Sequence, residues 1–433
     1  MRKWIMMMLL AAVLAGCRRY APFGAEESQA EQEGQTGPWA KQAKAALKEM
    51  EEKMQSPEGS VSVREAGTAA LQTLPKRLPV KVKGIYVSAY VAGTEAMMDT
   101  IIQRIDETEL NAVVIDVKDD NGRVTFATDS PLVEELGASV AYIPDMKGLM
   151  EKLKEHHIYR IARIPAFRDP YLAEQMPEWC CKKEDGTVFR DRNGLAWVDP
   201  YKKEVWDYLL EIARSAGKAG FDEIQFDYIR FCTEKGMDQV VFDPADVQGR
   251  SRQEVILEFA DYAYRELSKE GLTVSADVFG AVIGGGEDAR LVGQDYGRMA
   301  QILDHICPMI YPSHYGDGYF GIAHPDMQPY DTVLKALQGS AKDLQQEASE
   351  AQAMEEAAGE GFGDVAGQGG RMATVRPWLQ DFTASYLKHH ISYGAQQVRE
   401  QIQAVYDSGY EEWILWNAGS SYHYDGLLPK TPR

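Results

Sequence analysis

Beyond residue 80 the chain repeats one hydrophobic pattern eight times: a short apolar run rich in β-branched and aromatic residues, then a segment of helical period. The runs are "VKGIYVSAY" (82–90), "NAVVIDVKD" (111–119), "YRIARIPAF" (159–167), "DEIQFDYIRF" (222–231), "LTVSADVFG" (272–280), "DHICPMIYPSHY" (304–315), "ATVRPWLQDF" (373–382) and "EEWILWNAG" (411–419). Between them, segments such as "KEVWDYLLEIARSAGKAG" and "AQQVREQIQAVYDSG" space apolar residues three and four apart, as an amphipathic helix requires. Eight strands alternating with helices predict an α/β fold of the (β/α)8 TIM-barrel type. A doubly wound open sheet is the structural rival, weakened because no glycine-rich phosphate turn follows the first strand.

In such a barrel the active site forms at the carboxyl ends of the strands. Polar residues gather at those ends here: Asp116 and Lys118 in the second strand, Asp227 and Arg230 in the fourth, Asp277 in the fifth and His314 after the sixth. Gln380 and Asp381 end the seventh, and Trp416 and Asn417 end the eighth. Side chains alternate across a strand, so Gln225 shares a face with Asp227, and Ser275 with Asp277, which makes the inner face the polar one. Phe167, Tyr228, Tyr311, Tyr315, Trp378 and Trp416 lie near the same ends. Singly they suit a core; around carboxylates they also suit the apolar faces of sugar rings.

Two segments stand outside the repeat. Residues 1–16 join two basic residues to an apolar run too short to span a bilayer, and they end in "LAG" before Cys17. This predicts a signal peptide, and "LAGC" resembles the bacterial lipoprotein box in which the cysteine, here Cys17, becomes lipid-modified. A membrane-tethered protein on the extracytoplasmic face is expected. Residues 17–79 are polar and read as a spacer, leaving 80–428 for the barrel; residues 345–371, acidic and glycine-rich, read as a flexible insertion.

With 433 residues, 45% of them hydrophobic, the chain can bury one large core. Its formal charge of −20 argues against nucleic acid as a partner and makes a polyanion an awkward substrate. A neutral or cationic substrate is expected instead. Cys180, Cys181, Cys232 and Cys307 show no metal spacing; Cys232 is a candidate to pair with Cys180 or Cys181, and Cys307 reads as a small buried hydrophobe. No H-x-H ends the first strand and no cysteine triplet exists, so neither a bound metal nor another cofactor is expected.

The segments "NAVVIDVKDDNG", "YLAEQMPEW", "GLAWVDPYKKEVWDY", "GFDEIQFDYIRF", "VSADVFG", "CPMIYPSHYG", "RPWLQDFTASY" and "EEWILWNAG" together resemble a bacterial family described as the putative glycosyl hydrolase domain, a TIM-barrel family placed by similarity among glycoside hydrolases. The resemblance runs from about Lys83 to Trp416, with Cys232 standing where the family pattern carries proline. It implies hydrolysis of glycosidic bonds, chemistry usually done by two carboxyl groups flanking the bond. Asp227 and Asp277, on adjacent strand ends, are the expected pair, with Arg230 or Lys118 holding one of them ionised. Asp116, Lys118, Arg230, Tyr311, His314, Trp378, Gln380, Asp381, Trp416 and Asn417 are the expected sugar contacts. The competing functional reading is a non-catalytic carbohydrate-binding envelope lipoprotein on the same barrel; a metallohydrolase or Schiff-base aldolase fits the strand ends less well.

Overall fold

The computed structural model describes residues 80–358 and 372–430. The expected leader, Cys17 and the spacer lie outside the described residues.

Eight parallel strands close on themselves: β1 Lys83–Val87, β2 Ala112–Asp116, β3 Tyr159–Pro165, β4 Glu223–Asp227, β5 Thr273–Phe279, β6 His305–Met309, β7 and β8 Trp413–Trp416. β7 is split into Thr374–Val375 and Trp378–Gln380, because Pro377 has no N–H for a continuous ladder. Each strand pairs with the next in sequence, and β1 pairs with β8 through Lys83↔Trp413, Gly84↔Ile414 and Ile85↔Leu415, so no edge is left open.

Among the described residues, seven helices of seven residues or more pack outside: α1 Glu95–Glu107, α2 Met146–Glu155, α3 Lys203–Ala219, α4 Arg252–Ser268, α5 Tyr296–Ile302, α6 Pro329–Ala358 and α7 Ala395–Asp407. α3 shows the logic. Val205, Leu209, Ile212, Ala213 and Ala216 recur along one stripe and are buried, and Gly220, at φ 116°, ends the helix in a conformation that a side chain would resist. α4 starts at a capping box: Ser251 Oγ accepts from Glu254 N, and Glu254 Oε2 accepts from Ser251 N. α6 runs to Ala358, so the first part of the expected flexible insertion is helical; the rest lies outside the described residues. Among the described residues no helix is long and apolar enough to cross a membrane.

The interior is layered: the polar inner face expected from β4 and β5 meets apolar side chains from the other strands. Its middle is mostly apolar, with Val114, Ile161, Cys307 and Ile414 in one buried cluster, and Gln225 is the polar exception, its Nε2 donating to Cys307 Sγ at 3.2 Å. Charge is confined to the two ends. At the amino end, Arg376 is fully buried and bonds Glu223 at 2.7 Å and Glu412 at 2.8 Å. At the carboxyl end lie the aspartates. All four cysteines from Cys180 onward are buried free thiols, so the pairing considered for Cys232 is absent.

Candidate active site

Inward-facing positions on four consecutive strands supply the site: Asp116 ends β2, Arg163 sits in β3, Asp227 ends β4 and Asp277 lies in β5. Asp116 is the register partner of Arg163, and Phe226 pairs with Ala276, so the next step along both strands sets Asp227 beside Asp277. Neighbouring strands lie roughly 4.8 Å apart. The two acids are therefore lateral neighbours with parallel outlooks.

Arg163 is the hub. Its Nη1 donates to Asp116 at 2.7 Å, its Nε and Nη2 fork onto Asp227 Oδ2 at 3.0 and 2.6 Å, and Nη2 also reaches Asp120 at 3.1 Å. The guanidinium is buried, which makes every one of these bonds strong and their geometry rigid. Asp120 also takes Arg168 Nη2 at 2.9 Å, and although burial opposes its charge, the two arginines hold its carboxyl well below the usual range. Asp116 differs: burial pushes it up to about 6, against the pull of Arg163, and the Tyr86 hydroxyl donates to its other oxygen at 2.5 Å. Asp116 thus spends both oxygens on placing Arg163 and Tyr86.

Asp277 has no cation in contact among the described residues. Its Oδ1 accepts the Trp378 indole N–H at 2.6 Å, and burial followed by the charge of Asp227 pushes its carboxyl well above the ordinary range. One acid of the pair is thus bound to a guanidinium, while its neighbour favours the protonated form. Aromatic rings wall this space: Trp416 lies 4.3 Å from the Tyr86 ring and meets Trp378 nearly edge-on at 5.7 Å, and Tyr311 is buried beside them.

A cleft of about 950 Å³, open solvent included, lies at the same end of the barrel, and the two acids are not themselves among its lining residues. Tyr228 and Phe279 bring its wall to within two residues of Asp227 and Asp277, and Arg168, Trp197, Arg230 and His314 complete much of the lining. Tyr228 is held at φ 49°, a strained conformation for an aromatic residue, with Arg168 3.6 Å over its ring and its N–H on Asp227 Oδ1 at 2.6 Å. Arg230 lies among the rings of Phe279 at 4.5 Å, Trp197 at 4.9 Å and Tyr228 at 5.3 Å, and its Nη1 donates to Phe231 O at 2.9 Å. His314 is kept neutral by burial, which lowers it to about 4.

Several expected sugar contacts are committed elsewhere. Lys118 is fully buried, with its ammonium on Asp169 at 2.9 Å and on Pro165 O at 2.5 Å, so it ties β2 to the loop after β3 and does not reach Asp227. Gln380 gives both ends of its amide to the loops, accepting from Ser313 N and donating to Asp326 and Phe382 O. Asp381 is buried and takes His423 Nδ1 at 2.5 Å, while Asn417 bonds Asp381 O and Gly419 N. These residues shape the loops around the site. Phe167 packs outside the barrel against Phe259. Asp116, Arg230, Tyr311, His314, Trp378 and Trp416 are the expected contacts that gather around the acids or their cleft. The ion pair expected from Arg230 or Lys118 is made by Arg163, which with Tyr86, Asp120 and Arg168 was not anticipated. Arg163 shares the face of Ile161, so the strand alternation applied to β4 and β5 would have turned it inward.

No curated protein matches the chain. Among solved structures, a hypothetical protein from Ruminiclostridium thermocellum is 36% identical over 45% of this chain and 97% of its own, at a TM-score of 0.42. The PgaB (BpsB) glycoside hydrolase domain from Bordetella bronchiseptica is 12% identical, covering 82% of this chain and 100% of its own at a TM-score of 0.52, a likeness of fold. A family profile matches residues 84–422, nearly the whole barrel: the chain belongs to the family described as "Putative glycosyl hydrolase domain" and carries a glycoside hydrolase-like (β/α)8 barrel.

Proposed function

We propose that the chain hydrolyses O-glycosidic bonds of an extracellular or envelope polysaccharide. Asp227 acts as nucleophile or base and Asp277 as general acid. The observation that carries this reading is the unlike treatment of two adjacent carboxyl groups: Asp227 is forked by Arg163, whereas Asp277 meets an indole N–H and no cation. Glycoside hydrolysis needs that division, one acid to protonate the leaving oxygen and one carboxylate to attack or to activate water. Arg163 and Asp116 position Asp227, and Trp416, backed by the buried rings of Tyr86 and Trp378, offers a ring face to a sugar.

The substrate we propose is a neutral or cationic glycan. The segment before residue 80 carries slightly more Lys and Arg than Asp and Glu, so the acidic excess belongs to the remainder of the chain, where its field would repel polyanions. Incubating the soluble domain from Lys76 onward with neutral, amino-sugar and polyanionic polymers should release reducing ends from the first two classes. Turnover confined to a polyuronic or teichoic polymer would overturn the substrate reading, and no release from any glycan that nevertheless binds would favour a non-catalytic receptor.

The same proposal places the protein on the extracytoplasmic face of a bacterial membrane, held by a lipid on Cys17. The full chain should fractionate with membranes, and Cys17→Ser should move it to the soluble fraction with its turnover intact. Equal membrane retention of that variant would remove the anchor.

A further inference from the structure

The loop after β6 and the loop after β7 meet on the rim of the barrel's carboxyl end through three side chains that the glycosidic chemistry does not use. Asp317 and His324 come from the first loop and His389 from the second. Asp317 Oδ1 lies 3.0 Å from His324 Nδ1, Asp317 Oδ2 lies 2.8 Å from His389 Nδ1, and the two imidazoles face one another with centroids 3.9 Å apart. One donor atom from each residue falls within 4.8 Å of the other two.

We propose that these residues form a binding site for a divalent first-row transition metal of borderline softness, which pins the two loops together. The donor set is two imidazoles and one carboxylate, the combination that suits such ions and not Mg²⁺ or Ca²⁺, which demand oxygen. The spacing fits as well. Ligand atoms about 2.0–2.1 Å from a tetrahedral ion stand roughly 3.3 Å apart, so a side-chain shift of a few tenths of an ångström from the present hydrogen-bonded spacings of 3.0 and 2.8 Å would seat it. His324, His389 and Asp317 side chains are 37%, 34% and 55% exposed, so the remaining coordination positions face water and the ion has a path in. Binding through Nδ1 requires each imidazole to carry its proton on Nε2. Without metal a proton between each Nδ1 and Asp317 holds the same three groups in place, so the site is assembled before the ion arrives.

The loops so joined bear on the site. The first follows Tyr311 and leads through His314, which lines the cleft, to Asp326; the second carries Ile391 and Tyr393, whose N–H and hydroxyl both bond Asp326. A metal at the exposed end of this seam would add a second clasp to a contact already made inside.

The test is zinc titration of the purified full-length chain in detergent, followed by calorimetry and thermal unfolding after prior treatment with chelator. One Zn²⁺ per chain should bind and raise the melting temperature, and Mg²⁺ should do neither. His324→Ala and His389→Ala should each weaken zinc binding by at least about tenfold, since each removes one of three ligands. His156→Ala, which removes an imidazole paired with Asp106 on another face, should leave it unchanged. Chelator-treated variants that melt like the native chain establish that folding is intact. Zinc that leaves the native melting temperature unmoved, or an affinity that survives both rim variants, overturns the proposal.

Discussion

Asp227→Asn and Asp277→Asn are each expected to lower turnover by roughly 10² to 10⁴, the usual worth of a positioned acid or base, while the protein stays folded. Folding should survive for different reasons. Without the Asp227 charge, Arg163 keeps Asp116 and Asp120, so no guanidinium is left buried and alone. Asp277→Asn removes a carboxyl group that lacks a cation and keeps an oxygen to accept the Trp378 indole. The two losses should also differ in kind. A substrate with a good leaving group hardly needs a proton, so it should restore much of the rate of Asp277→Asn and little of that of Asp227→Asn. The pH profile separates them again. Because burial and the charge of Asp227 raise Asp277, its acid form persists into higher pH, and kcat/KM should fall as pH rises through that raised value. Asp277→Asn should lack this basic limb. If both variants melt early yet turn over normally per folded molecule, the carboxylates are barrel struts and the catalytic assignment fails.

Most of the architecture was legible in the pattern because a closed parallel barrel forces it: strands buried on both faces alternate with amphipathic helices, and both periods are written into composition. Strand ends marked the acids for the same reason. What could not be read was partnership. Lys118 follows Asp116 by two residues and looks like a site member, but the chain has left the regular strand there and its ammonium turns to Asp169, 51 positions on. Gln380 faces inward as expected, yet its amide is spent on loops whose conformation no periodicity encodes. The acidic stretch after Gln345 illustrates a competition between two signals. Judged by how little it can bury, it is loop; judged by its Ala, Glu, Gln and Met content, it is helix, and α6 extends through Ala358 because helix-forming residues continue a helix already nucleated by buried Val333, Ala336 and Leu337. The rim triad was invisible for a simpler reason: His324 and His389 are 65 residues apart and lie on separate loops.

Arg376→Met should be the most destabilising single change in the barrel, costing roughly 3 to 5 kcal/mol with turnover per folded molecule preserved. Arg376 lies at the amino end of the barrel, the end opposite the aspartates, and is fully buried between Glu223 and Glu412. Glu223 also accepts from Ser275 Oγ at 2.6 Å and Tyr159 OH at 3.1 Å, so methionine would strand a carboxylate that the surrounding donors still hold in place. Burial pushes Glu223 up, but Arg376, assisted by His305 and Ser275, outweighs it and leaves the group below its ordinary value. In the native protein, then, Glu223 adds stability above its unfolded pKa, and that contribution is lost as pH falls through its lower folded pKa. The variant reverses the sign. Without the guanidinium, burial dominates, the folded pKa rises above the unfolded one, and the deficit grows with pH through that interval. Urea unfolding of both proteins should therefore show a wide gap at neutral pH that narrows toward the ordinary carboxylate range. Adding Glu223→Gln and Glu412→Gln to Arg376→Met should recover part of the loss, because it removes the stranded charges while keeping acceptors for Ser275 and Tyr159. A variant that melts like the native protein, or one that folds normally but loses turnover, would show that the amino-end cluster does something other than close the barrel.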